Sequence, residues 1–144
     1  EKNKFTKKKF SALHPGGKLG RVLLSVKEIM KKGKFIPLVF DNENMGSALI
    51  EITSKGLGCV GVLSKKNGCL VGIITDGDLR RHMDQNLLTK KVSEIMTKKP
   101  KTLNEDELIT DALNLMNEKS ITNFFITKKN KPIGILHVHD ILKI

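Results

Sequence analysis

The sequence contains no tryptophan and no tyrosine, and six phenylalanines are its only aromatic residues. Binding of single-stranded nucleic acid rests on aromatic rings interleaved with cations. Beside the lysines of the N-terminal segment only Phe5 and Phe10 could serve that purpose. There are two cysteines, Cys59 and Cys69, with no dense spacing pattern. That excludes a disulfide-framed scaffold and points to a reducing, cytoplasmic setting. The two flank a predicted hairpin out of register, so each reads as a small packing residue, with no disulfide and no metal site assigned. No apolar run approaches the ~18 residues of a membrane span; the best are short pieces such as Leu70–Ile74. The basic N-terminus is not followed by the apolar stretch of a signal peptide. Also missing are a Ser-His-Asp arrangement, a Walker-type phosphate loop and a Cys-x-x-Cys pair. The chain begins with Glu, not Met, which is expected of a piece of a longer protein whose other part lies upstream.

What is abundant is positive charge. Lys and Arg number 26 against 15 Asp and Glu, a net charge of +11. Residues 1–34 hold eleven of the basic and two of the acidic residues, so +9 sits there and +2 on residues 35–144. A polyanion-binding arm and a solvated linker both fit such a segment. Without stacking aromatics the linker is the preferred reading, and neither a nucleic-acid nor a membrane partner is expected. With 39% hydrophobic residues the chain can bury a core. Its length suits one domain or two small units sharing a core.

The two halves repeat each other. Val26-Lys-Glu-Ile29-Met30 recurs as Val92-Ser-Glu-Ile95-Met96, and Gly72-Ile-Ile-Thr-Asp-Gly-Asp78-Leu79 recurs as Gly134-Ile-Leu-His-Val-His-Asp140-Ile141. The offset falls from 66 to 62 residues between these landmarks, so copy one carries four extra residues, expected around Gly33–Pro37. In copy one, Ile36–Phe40 reads as a strand. Asp41 or Asn42 is the expected cap of a helix with apolar positions Met45, Ala48, Leu49 and Ile52. Gly56 is a left-handed stop. Cys59–Leu63 and Leu70–Ile74 read as a hairpin around residues 65–68, followed by a helix from Asp76 to about Met83. In copy two, Asn104–Glu107 reads as a near-capping box opening a helix with Leu108, Ala112, Leu115 and Met116 on its apolar face. Phe124–Thr127 and Ile133–Leu136 form the second hairpin, and residues 138–143 the last helix. The order is strand, helix, strand, strand, helix, twice.

That order, opened by Val-x-x-Ile-Met and closed by Gly-Ile-Ile-Thr-x-x-Asp, resembles the CBS domain, two of which pack together as a Bateman module. The resemblance implies an α/β (α+β) fold with a linker over 1–24, one CBS unit over 25–88 and a second over 89–144. Upstream, His14-Pro15-Gly16-Gly17-Lys-Leu19-Gly20-Arg21 is similar to the signature of D-arabinose-5-phosphate isomerases. Those enzymes carry a sugar-isomerase (SIS) domain followed by a CBS pair, and the SIS domain has no counterpart in this sequence. Read alone, Pro-Gly-Gly is a turn and His14 a surface histidine. The resemblance implies that His14 reaches the isomerase active site, where aldose–ketose conversion needs acid/base groups, but only in the full enzyme.

Thr75 and Asp78 follow a strand and open a helix, where backbone N–H groups and the helix dipole favour an anion. The Thr hydroxyl can donate to a phosphate, and the Asp carboxylate can accept from ribose hydroxyls. The pair equally fits a plain helix cap. Arg80 and Arg81 lie on the same helix and could clamp a phosphate or a sugar carboxylate, or form a solvated face. In copy two His137 replaces the Thr, and His139 precedes Asp140. His137 can still donate to phosphate, and Asp140 keeps the ribose role. His-x-His with Asp could also hold a metal, but no further His or Cys lies nearby and no metal is assigned. The resemblance implies that the entrance of the first strand lines the base pocket, so Ile36 and Pro37 could flank a flat base with Lys34 near the phosphate, or the segment could be an ordinary connecting strand. Thr122 and Asn123 precede the second hairpin, where each could reach the base or ribose and could equally satisfy a loop.

The resemblance implies a cytoplasmic, regulatory, nucleotide-binding module of an isomerase that converts D-ribulose 5-phosphate to D-arabinose 5-phosphate, the precursor of Kdo in lipopolysaccharide. No cofactor is required. The regulatory nucleotide would be CMP or CMP-Kdo, with AMP or ATP as the adenosyl alternative. The partners implied are the SIS domain and further copies of the chain, a CBS-pair dimer within a tetramer. The rival reading is a ligand-free scaffold that only holds SIS domains together.

Overall fold

The computed structural model describes residues 23–144, so His14 and the rest of its signature lie outside the described residues. Helix α1 (Val26–Ile29) is opened by a capping box, in which Glu28 accepts from the Ser25 N–H at 2.8 Å. A 3-10 turn (Gly33–Phe35) leads to β1 (Leu38–Phe40), α2 (Met45–Lys55), β2 (Cys59–Leu63), β3 (Leu70–Thr75) and α3 (Asp76–Arg81). Copy two repeats this as α4 (Val92–Ile95), β4 (Thr97–Lys98), β5 (Thr102–Leu103), α5 (Ile109–Lys119), β6 (Asn123–Lys128), β7 (Lys131–His137) and α6 (Val138–Leu142). The stripe Met45, Ala48 and Ile52 buries one face of α2, and Ile109, Ala112 and Met116 bury that of α5.

The two copies exchange their opening segments. β4, which belongs to copy two in sequence, pairs antiparallel with β3 of copy one, giving the sheet order β1-β2-β3-β4. Lys31 of copy one makes the matching antiparallel bridge to Ile135 on β7. The N–H of Val26 donates to the Glu107 carbonyl and that of Val92 to the Glu43 carbonyl, the same bond in each direction. Val26 and Met30 therefore belong to the core of copy two, with Leu103, Phe124 and Leu136. Val92 and Ile95 belong to that of copy one, with Val60, Val62 and Ile74. Val26 and Val92 are both fully buried, each contributing roughly 1.5–3 kcal/mol. A third cluster (Ile36, Cys59, Phe125 and Ile135) joins the two sheets.

The repeat also locates the extra residues. The offset is 66 at Val26 and Val92, 64 at Met45 and Ile109, and 62 at Gly72 and Gly134. Two of the four extra residues thus lie around Gly33–Phe35, as expected, and the other two in the β2–β3 turn. The cap of α2 is Asn44, whose Oδ1 accepts from the Ser47 N–H at 3.2 Å, not Asp41 or Asn42. Asp41 is engaged elsewhere, accepting from the Lys65 N–H at 3.1 Å. The Asn104–Glu107 box does form, with the Asn104 N–H donating to Glu107 at 2.9 Å. It closes a turn ahead of α5, which starts only at Ile109, and the Phe40 N–H makes the same bond to Glu43 in copy one. The strand expected over 36–40 begins at Leu38: the 3-10 turn runs to Phe35, and Pro37 has no N–H to give to a strand ladder.

Candidate functional site

The Gly-Ile-Ile-Thr-x-x-Asp segment turns from β3 into α3 through a capping box. The Asp78 carboxylate accepts from the Thr75 N–H at 2.9 Å, the Thr75 hydroxyl at 3.2 Å, the Arg81 guanidinium at 2.5 Å and the Thr97 hydroxyl at 2.7 Å. Asp78 is only 3% exposed. Burial pushes its carboxyl up, but the hydrogen bonds from Thr97, Thr75 and Arg81 outweigh this and hold it below the usual carboxylate value. Asp78 therefore ties the start of α3 to β4, so one carboxylate links the two copies.

Above this cap lies a cleft of about 480 Å³. Thr75, Asp76 and Arg80 form one wall. Thr97, Lys99 and Lys101 form the second, and the Ser120–Asn123 segment between α5 and β6 forms the third. Arg80, Lys99 and Lys101 are exposed and make no ion pair among the described residues. Asn123 is buried; its Nδ2 donates to the Leu57 carbonyl at 2.8 Å, while its Oδ1 has no hydrogen-bond partner among the described residues. Cys59 lies on the floor, where burial, and then the Asp76 charge, push its thiol up to about 12. It stays a neutral packing group there.

Of the residues singled out by sequence, Thr75, Arg80 and Thr122 line this cleft together. Asp78 and Arg81 sit at the cap. Lys34 is exposed, its ammonium 5.5 Å from the Phe35 ring centroid. Ile36 and Pro37 are buried, and Ile36 belongs to the core joining the sheets. His137, His139 and Asp140 form a separate group at the β7–α6 junction. There Asp140 ion-pairs with Lys31, and His137 Nδ1 accepts from the His139 N–H at 3.0 Å. Burial, then His139, lowers the His137 pKa, against the opposing pull of Asp140. No group of three or more His, Cys, Asp or Glu suited to a metal ion occurs among the described residues.

Sequence reasoning missed Thr97, Lys99, Lys101 and Ser120 as cleft residues. The signal was present in the repeat. Pro100 and Lys101 precede β5 as Ile36 and Pro37 precede β1, so the strand entrance that lines the cleft is that of copy two.

The CBS-domain family model matches residues 26–85 and 92–144. An uncharacterised protein of Rickettsia prowazekii is 43% identical over 99% of this chain and 44% of its own length. The arabinose 5-phosphate isomerase KdsD of Francisella tularensis is 39% identical over 97% of this chain and 43% of its own length. The chain thus spans less than half of these curated relatives. Among solved structures, the CBS domain pair of protein MJ0100, in complex with 5′-methylthioadenosine and S-adenosyl-L-methionine, superposes with a TM-score of 0.72. It shares 26% identity and covers 83% of this chain and 94% of that one.

Proposed function

The chain belongs to the CBS-domain family, and from that premise we propose that it is the nucleotide-sensing module of an arabinose-5-phosphate isomerase. The observation that carries this reading is the cleft beside Thr75, lined by three cations and by Asn123, whose amide oxygen, like those cations, has no partner among the described residues. A nucleotide supplies what these groups ask for: anionic oxygens for Arg80, Lys99 and Lys101, and N–H donors on a base for Asn123. The adenosyl ligands of the MJ0100 pair support the ligand class. The KdsD relative supports the parent activity, conversion of D-ribulose 5-phosphate to D-arabinose 5-phosphate in cytoplasmic Kdo synthesis. In that setting the catalytic groups belong to the SIS domain, with His14 reaching its active site, and CMP-Kdo is the end product that the cleft would sense. Ligand binding regulates the isomerase only if it differs in affinity between active and inactive arrangements.

Thermal-shift and calorimetric titration with CMP, CMP-Kdo, AMP, ATP and a short DNA duplex tests the reading. At least one nucleotide is expected to bind and to raise the melting temperature, while the duplex does not bind at physiological salt. A chain that responds to none of them is a scaffold. That second reading draws on Ile50, Met83 and Leu142, which stand exposed on or beside helices α2, α3 and α6 and would be covered in a dimer.

A further inference from the structure

Four residues other than glycine have a positive φ among the described residues: Lys99, Ser120, Lys129 and Asn130. Lys129 and Asn130 form the tight turn between β6 and β7, where such a conformation is required. The other two lie on the cleft, Lys99 at φ 53° and Ser120 at φ 55°. The repeat supplies a comparison within the same molecule. The position matching Lys99 is Gly33, at φ 60°, and that matching Ser120 is Gly56, at φ 72°. The fold therefore demands a left-handed residue at both places in both copies. Copy one meets the demand with glycine, the residue that adopts this conformation without steric penalty. Copy two puts side chains there, and both residues line the cleft.

The other cationic positions show the same asymmetry. Lys101 is matched by Pro37 and Arg80 by Leu142. The position matching Thr97, whose hydroxyl donates to Asp78, is Lys31, whose ammonium is engaged by Asp140. All three cations around the cleft are thus replaced by uncharged residues at the corresponding places of the other junction, and both strained polar residues by glycine.

We infer that the chain holds one anionic ligand, at the Thr75 cleft alone, and that Lys99 and Ser120 keep their strained backbone because their side chains grip its anionic group. This rests on the nucleotide reading and deepens it, by assigning the stoichiometry and two ligand-binding residues. A lysine ammonium on a phosphate oxygen is a charge-assisted contact, worth about tenfold or more in affinity. Glycine at either position would relieve the backbone while deleting the grip.

Isothermal titration of the chain with AMP and with CMP, together with melting curves of the unliganded protein, tests it. The expected stoichiometry is one nucleotide per chain. Lys99→Gly is expected to weaken binding about tenfold or more, and Ser120→Gly to weaken it less. Both variants should melt, unliganded, at or above the temperature of the parent chain. Gly33→Lys should leave the affinity unchanged. Two equivalent sites per chain overturn the inference, as does unchanged affinity in Lys99→Gly, or a Lys99→Gly chain that melts lower. In each of those cases the nucleotide reading stands, because the parent chain still binds. A parent chain that binds neither AMP nor CMP, nor any other nucleotide of the panel, overturns both.

Discussion

Replacing Gly134 by valine is expected to destabilise the whole chain by about 3 kcal/mol, with copies one and two melting together in a single lower transition. A Cβ at Gly134 would stand 2.8 Å from Met30 Cγ, closer still to its sulfur, and 3.1 Å from the Lys31 carbonyl oxygen. The sulfur could swing aside, but the carbonyl is held by the bridge in which the Ile135 N–H donates to it at 3.0 Å. Relief therefore pushes the copy-one opening segment away from β7. That withdraws Val26 and Met30 from the core of copy two. Gly72 faces Met96 in the same way, with Met96 Cγ 2.8 Å from the position of a Cβ but no backbone atom among its three nearest contacts. Gly72→Val is expected to be milder for that reason. Denaturant unfolding followed by circular dichroism measures both. Two separate transitions in Gly134→Val would show that the exchanged segments do not couple the copies.

Asp78→Ala is expected to cost about 2–3 kcal/mol, although it removes only one surface-adjacent carboxylate. The substitution leaves the Thr75 N–H and the Thr97 hydroxyl without their acceptor. Arg81 contributes little to the loss, because its side chain is largely exposed and remains solvated. The folded carboxyl titrates below its ordinary value, so its stabilisation is fully present above about pH 4. It is lost as the pH falls through the lower, folded value. The stability difference between the parent chain and Asp78→Asn should accordingly shrink on acidification through that window. A gap that stays constant down to pH 2 would mean that Asp78 is not held ionised by its hydrogen bonds.

The sequence made the repeat legible because its two motifs sit where backbones cross. Ile-Met and Gly-Ile-Ile are the two halves of one contact, Met30 on Gly134 and Met96 on Gly72. Amphipathic spacing likewise places Met45, Ala48 and Ile52 on a buried face. The exchange itself is not written in any local pattern, since Val26-x-x-Ile29 reads the same whichever hairpin it covers. The cleft was half legible. Thr75, Arg80 and Thr122 carry hydroxyls and charge at recognisable places, whereas Lys99 and Ser120 look like ordinary loop residues. Only a backbone angle sets them apart, and the repeat then gives that angle meaning. Ile36 and Pro37 hold the place before β1 that Pro100 and Lys101 hold before β5, and only the latter two line the Thr75 cleft.

The central claim is that the Thr75 cleft holds a nucleotide. A titration of the isotope-labelled chain with AMP and CMP, followed through its backbone amide resonances, tests it most directly. The account predicts that shifts concentrate on Thr75–Gly77, Lys99, Lys101 and Ser120–Asn123, and that residues 137–140 stay unchanged. Shifts centred on His137–Asp140, or none with any nucleotide at millimolar concentration, would contradict it.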